Sequence, residues 1–117
     1  MNVADFNVML KERIEATERV LASKNKEYAS DKDKLHNFKR AGDMLRQVPE
    51  QALVGMWTKH IISLLDIVDN INKDEELALV QICLGGGLTK EMLEEKIGDA
   101  INYLILLEAL IKERYSW

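Results

Sequence analysis

Two groups of polar residues interrupt stretches otherwise built from Ile, Leu and Val. In the run from Lys59 to Asn70, helical residues advancing by about 100° each would put Lys59, Ser63, Asp66 and Asn70 on one narrow stripe. Glu91, Glu95, Asp99 and Asn102 form a matching stripe further on. Asn102 sits among Ala100, Ile101, Tyr103 and Leu104, where a buried amide needs partners. Two such seams on apolar helices face each other or a shared cleft. Asp66, Glu95 and Asp99 would then offer hard oxygen donors for one Mg²⁺ or Mn²⁺ whose remaining ligands are water and phosphate oxygens. A diphosphate or triphosphate is the matching ligand, because the cation polarises the phosphoryl group and lowers the pKa of a bound water. Lys59 and His60 would neutralise phosphate charge or donate to a leaving oxygen. Ordinary solvated faces fit the same residues: Glu94-Glu95-Lys96 near a helix start suits the helix dipole, and His60 alone also fits a structural role.

A second cluster mixes Lys24, Lys26, Lys32, Lys34, Lys39 and Arg40 with Tyr28, His36 and Phe38. Rings stack on bases and cations meet phosphates, so Lys24 and Lys39 are candidate phosphate contacts and Tyr28 a candidate for base or sugar. A solvated loop with a packed Phe38 is the alternative. Acidic residues interleave with the cluster and the chain carries a net charge of −4, which argues against extended nucleic-acid binding. That charge is unevenly placed. Residues 1–49 hold ten Lys/Arg against eight Asp/Glu, net +2, while residues 50–117 hold six against twelve, net −6. Such a split suits two helical layers that attract each other, and equally a polyanion held by cationic side chains and a carboxylate-bound metal.

The elements that would position these groups are helical. The 117 residues include one Pro and six Gly, and are 47% hydrophobic but only 6% aromatic, a composition suited to helix packing in a single domain spanning 1–117. Phe6, Leu10, Ile14, Thr17 and Leu21 mark an amphipathic helix from Val3 to Tyr28. Ser30-Asp31-Lys32-Asp33 reads as the start of a second helix reaching about Gln47, weakened by Gly42. Val48-Pro49-Glu50 opens a third that continues from Gln51 to Ile71 before a polar break at Asn70–Asp74. A short helix over Glu75–Leu84 would end at Gly85-Gly86-Gly87, a hinge rather than a phosphate loop because no Gly-Lys-Ser/Thr closes it. Thr89 caps a last helix from Lys90 to about Tyr115. The expected fold is all-α, a bundle of four main helices and one short one. The third and last helices are apolar around much of their circumference, which predicts a homo-oligomer. No apolar run approaches membrane-spanning length, no signal peptide opens the chain and Cys83 is a lone cysteine, so a cytoplasmic protein without membrane contact is expected.

Three segments together carry a family resemblance: Lys24-x-x-Glu27-Tyr28 with His36-Asn37-Phe38-Lys39, then Lys59-His60-x-x-Ser63-x-x-Asp66, then Glu95-Lys96-Ile97-Gly98-Asp99-Ala100-x-Asn102-Tyr103-Leu104. They resemble small all-helical phage and prophage proteins, and more loosely the MazG-like all-α nucleoside triphosphate pyrophosphatases and helical domains associated with nucleotide modification. In MazG-like enzymes a Glu-x-x-Glu pair on one helix and a Glu-x-x-Asp pair on a later one bind Mg²⁺. Gly98-Asp99 matches the second element, with Glu95 four positions before Asp99 and Lys96 three before. In place of the first element stands Lys59-His60-x-x-Ser63-x-x-Asp66-x-x-Asp69. The resemblance implies a nucleotide-binding protein, with Asp66, Glu95 and Asp99 on the metal and Lys24, Lys39 and Lys59 on phosphate. Tyr28 would contact base or sugar and Asn102 would orient a carboxylate or ligand. It further implies hydrolysis of a nucleoside triphosphate to monophosphate and pyrophosphate. The competing expectation is a non-catalytic phage protein that docks on and inhibits a host or defence protein, using Trp117.

Overall fold

The computed structural model describes residues 1–23, 33–73 and 88–117. Its elements are α1 (Val3–Ser23), α2 (His36–Leu45), α3 (Pro49–Lys73) and α4 (Lys90–Tyr115), so the all-α fold class is confirmed. The expected short helix at Glu75–Leu84, the glycine hinge at Gly85–Gly87 and the Ser30 cap fall outside the described residues.

Local chemistry sets the boundaries. The Asn2 side chain accepts the Asp5 backbone N–H at 2.8 Å, satisfying a donor that the first turn of α1 leaves free. The second helix begins later than the Ser30–Asp33 signal suggests. Asp33 uses its carboxylate to accept from the Leu35 N–H at 2.9 Å and its carbonyl to accept from His36 N–H at 3.2 Å, forming a turn ahead of the helix. Gly42 does not interrupt α2; it allows the helix to end. Arg46 adopts φ 54°, and Gln47 N–H donates back to the Gly42 carbonyl at 2.9 Å in a Schellman motif. A Cβ on Gly42 would stand 2.7 Å from the Gln47 carbonyl oxygen and 3.2 Å from Pro49 N, both backbone atoms. Pro49 then starts α3 as expected, and the helix runs through the polar residues at 70–72 to Lys73. Thr89 caps α4 by accepting from Met92 N–H at 3.1 Å.

The core gathers Leu35, Phe38, Leu53, Tyr103, Leu106 and Leu110, with Leu21, Met56 and Trp57 packed on its margin. Phe38 and Leu53 are 1% exposed, and Phe38 meets Tyr103 edge-on at 6.1 Å between centroids. α3 and α4 run antiparallel, because Glu50 meets Arg114 at one end while Ser63 meets Lys96 towards the other. α1 joins through its second half: Arg13, Ala16, Thr17 and Leu21 are half-buried, whereas Phe6, Leu10 and Ile14 are exposed. Among the described residues no helix is long and apolar enough to cross a membrane.

Candidate functional site

Between α3 and α4 lies a cleft of about 360 Å³, lined by Lys59, His60 and Ser63 from α3 and by Met92, Glu95, Lys96 and Asp99 from α4. Helical spacing explains the set. His60 and Ser63 are three residues apart on the α3 face turned towards α4, and Lys96 and Asp99 are three apart on the facing helix. Lys96 Nζ donates to Ser63 Oγ at 3.2 Å across the gap. His60 Nδ1 stands 3.7 Å from Asp99 Oδ2, and its ring lies 5.0 Å from that of Tyr103, tilted by 33°. Burial pushes the Asp99 carboxyl above the usual carboxylate range; His60 opposes that push, Glu95 adds to it and Lys96 opposes it. The cleft therefore mixes both signs of charge around one half-buried carboxylate.

Gly98 shapes the neighbouring surface. A Cβ at this position would stand 2.8 Å from Arg13 Nη1, so the α1 guanidinium rests on the bare helix surface beside Asp99's turn of α4 and a side chain there would displace its flexible end.

Of the residues singled out from sequence, Lys59, His60, Glu95 and Asp99 come together here. Asp66 does not join them. The buried side of α3 runs through His60, Ser63, Leu64 and Ile67, and three residues past Ser63 the helix has turned Asp66 off that side into solvent. Accordingly, among the described residues no group of three His, Cys, Asp or Glu side chains could hold a metal ion. Lys39 is also elsewhere: its ammonium is 2.8 Å from Asp33 and 2.8 Å from Glu113, and Glu113 lies about 20 Å further along α4 than Asp99. Asn102 is buried, at 4% exposure, and does not line the cleft; its Oδ1 has no hydrogen-bond partner among the described residues, and neither does buried Trp57 Nε1. Lys24 and Tyr28 lie outside the described residues.

No protein-family model, curated protein or solved structure matches this chain. What the cleft can do follows from its own donors and acceptors. Lys59, Lys96 and the Ser63 hydroxyl suit an oxyanion such as phosphate, while Glu95 and Asp99 suit a cation or the hydroxyl and amino groups of the same ligand. Sequence reasoning undervalued Lys96, which reads as an interruption of a carboxylate pattern. Its spacing of three from Asp99 was the signal that it belongs to the same face.

Proposed function

We propose that this chain is a phage-type, MazG-like nucleotide-binding protein whose α3–α4 cleft receives the phosphates of a nucleoside triphosphate or diphosphate. One observation carries the reading: two lysines, a serine hydroxyl and two carboxylates from facing helices line a single cleft, in the size range of small-ligand pockets. Lys59 and Lys96 supply charge to phosphate oxygens, and Ser63 adds a hydroxyl that is already within reach of Lys96. Glu95 and Asp99 fit a Mg²⁺ or Mn²⁺ that is shared with the ligand, since Mg²⁺ is commonly held by one or two carboxylates together with substrate phosphates and water. Among the described residues no third carboxylate joins them, because Asp66 points away. Glu95 and Asp99 would hold such a cation, and the chemistry it would supply is neutralisation of phosphate charge. Hydrolysis to monophosphate and pyrophosphate is the reaction to assay on this reading. His60, with its ring 5.0 Å from that of Tyr103 and its Nδ1 3.7 Å from Asp99 Oδ2, is the side chain we assign to proton exchange with the ligand.

Titration calorimetry with nucleoside triphosphates, with and without Mg²⁺, tests the reading. Mg²⁺-dependent binding that Lys96→Ala weakens supports it; absence of heat for every nucleotide removes it.

The rival reading, a non-catalytic protein that docks on a host or defence protein, draws on Trp117, which is 80% exposed and stacked on Tyr115 at 5.0 Å. It predicts no nucleotide binding and a stoichiometric complex that Trp117→Ala disrupts.

A further inference from the structure

The cleft has a neighbour on a third helix. On α4 its lining turns from Lys96 through Met92 and Asp99 to Glu95, and Gly98 stands about 60° beyond Glu95 on the helical wheel. Arg13 of α1 occupies that position, since a Cβ on Gly98 would stand 2.8 Å from its Nη1. Residues three apart on a helix are neighbours, at about 5–6 Å between Cβ atoms. The guanidinium therefore rests beside the Glu95 edge of the cleft.

Arg13 is half-buried, and among the described residues its guanidinium enters no ion pair or hydrogen bond. The carboxylates around it are engaged or turned away. Glu15 stands 4.0 Å from Lys11, and Glu94, four residues before Gly98, stands 3.6 Å from Lys90. Glu12 is turned about 100° from Arg13 on α1, and Glu91 lies nearly two turns of α4 before Gly98. A fork of donors is thus held beside the cleft without a partner. The cleft lining, by contrast, has no charge to spare. Lys59 and Lys96 are balanced by Glu95 and Asp99, so the formal charges cancel before a polyanion arrives. Arg13 tips that balance to positive.

We propose that Arg13 is a phosphate-binding residue of the α3–α4 cleft, contributed by α1. Its guanidinium swings on a flexible stem from Gly98 past Glu95 and meets two oxygens of the bound nucleotide's phosphates. The proposal rests on the nucleotide reading of the cleft and adds to it a residue from outside the lining. It also gives the docking of α1 on α4 a role in binding: the contact at Gly98 holds the guanidinium within reach of the ligand.

Calorimetry on the full chain in Mg²⁺ tests this, with the common ribo- and deoxyribonucleoside triphosphates and their monophosphates as probes. Arg13→Gln should weaken triphosphate binding at least about tenfold while changing monophosphate binding less than about twofold, since a lost charge-assisted contact falls on the phosphate chain. Arg13→Lys keeps the charge but not the fork, so it should lose only part of that affinity; it also serves if the glutamine variant does not fold. An Arg13 that only supports folding would lower Tm and leave the ratio of triphosphate to monophosphate affinity unchanged in both variants. That outcome overturns the assignment while the nucleotide reading stands. A wild type that binds no nucleotide removes the cleft reading itself, and this inference with it.

Discussion

The α3–α4 pair carries polar residues at both ends, and the ends differ in how those residues are used. At the end near Pro49, Arg114 grips Glu50 through both carboxylate oxygens at 2.6 and 2.8 Å, and Lys39 joins Asp33 to Glu113 with two contacts of 2.8 Å. At the other end Lys59, His60, Glu95, Lys96 and Asp99 surround open space, and the contacts across it are Lys96 to Ser63 at 3.2 Å and His60 to Asp99 at 3.7 Å. Charges that satisfy one another hold helices together and leave little capacity for a ligand. Charges held apart around a cleft retain donors and acceptors, so the same residue types are paired with one another at one end and left open to a ligand, on the proposed reading, at the other.

Substitutions should separate the two ends. The largest effect belongs to the core between the two ends: Phe38→Ala, which empties a site that is 1% exposed, should cost about 3–5 kcal/mol in urea unfolding. At the open end, Lys59→Glu with Lys96→Glu should leave stability within about 0.5 kcal/mol of wild type. It should nevertheless lower nucleotide affinity, measured by calorimetry, at least tenfold, since one charge-assisted hydrogen bond contributes about 1.5–3 kcal/mol.

The two ends should also respond oppositely to acid. The hydrogen bond from Lys39 holds Asp33 below the usual carboxylate range, and the bond from Arg114 does the same for Glu50. Their contributions are present above the ordinary carboxylate pKa and are lost as pH falls through the lowered folded values. Asp99 is raised by burial, so its ionised form is disfavoured in the folded state. That penalty is relieved as pH falls through its raised value towards 3.8, the ordinary value. Arg114→Ala should therefore flatten the acid-side loss of Tm. The smallest effect is Asp99→Asn, which should raise Tm slightly at neutral pH while abolishing Mg²⁺-dependent nucleotide binding, a stability gain at the expense of the site.

The sequence made much of this arrangement legible. Pro49, Thr89 and the apolar periodicity mark the starts of α3 and α4, because caps and periodicity are local signals. The seam also led to Lys59, His60, Glu95 and Asp99. Stripe geometry failed at its edges. Asp66 lies near the Ser63 stripe on a helical wheel, yet which side of that stripe faces α4 is set by packing against Tyr103 and Leu106, a long-range contact that spacing does not encode. Lys39 was misread for the same reason. Its attraction to Glu113 joins residues far apart in the chain, and only the folded structure brings them within 2.8 Å. Gly42 reads as a helix weakness from propensity alone; its need becomes visible once Gln47 and Pro49 fold back over it.

The most direct measurement is Mg²⁺-dependent nucleotide binding, followed by calorimetry on the wild type and on Asp99→Asn, with folding verified by circular dichroism. The account predicts saturable binding that requires Mg²⁺ in the wild type and disappears in a variant at least as stable as its parent. Equal binding by both proteins, or none by the wild type with any nucleoside triphosphate, would contradict it.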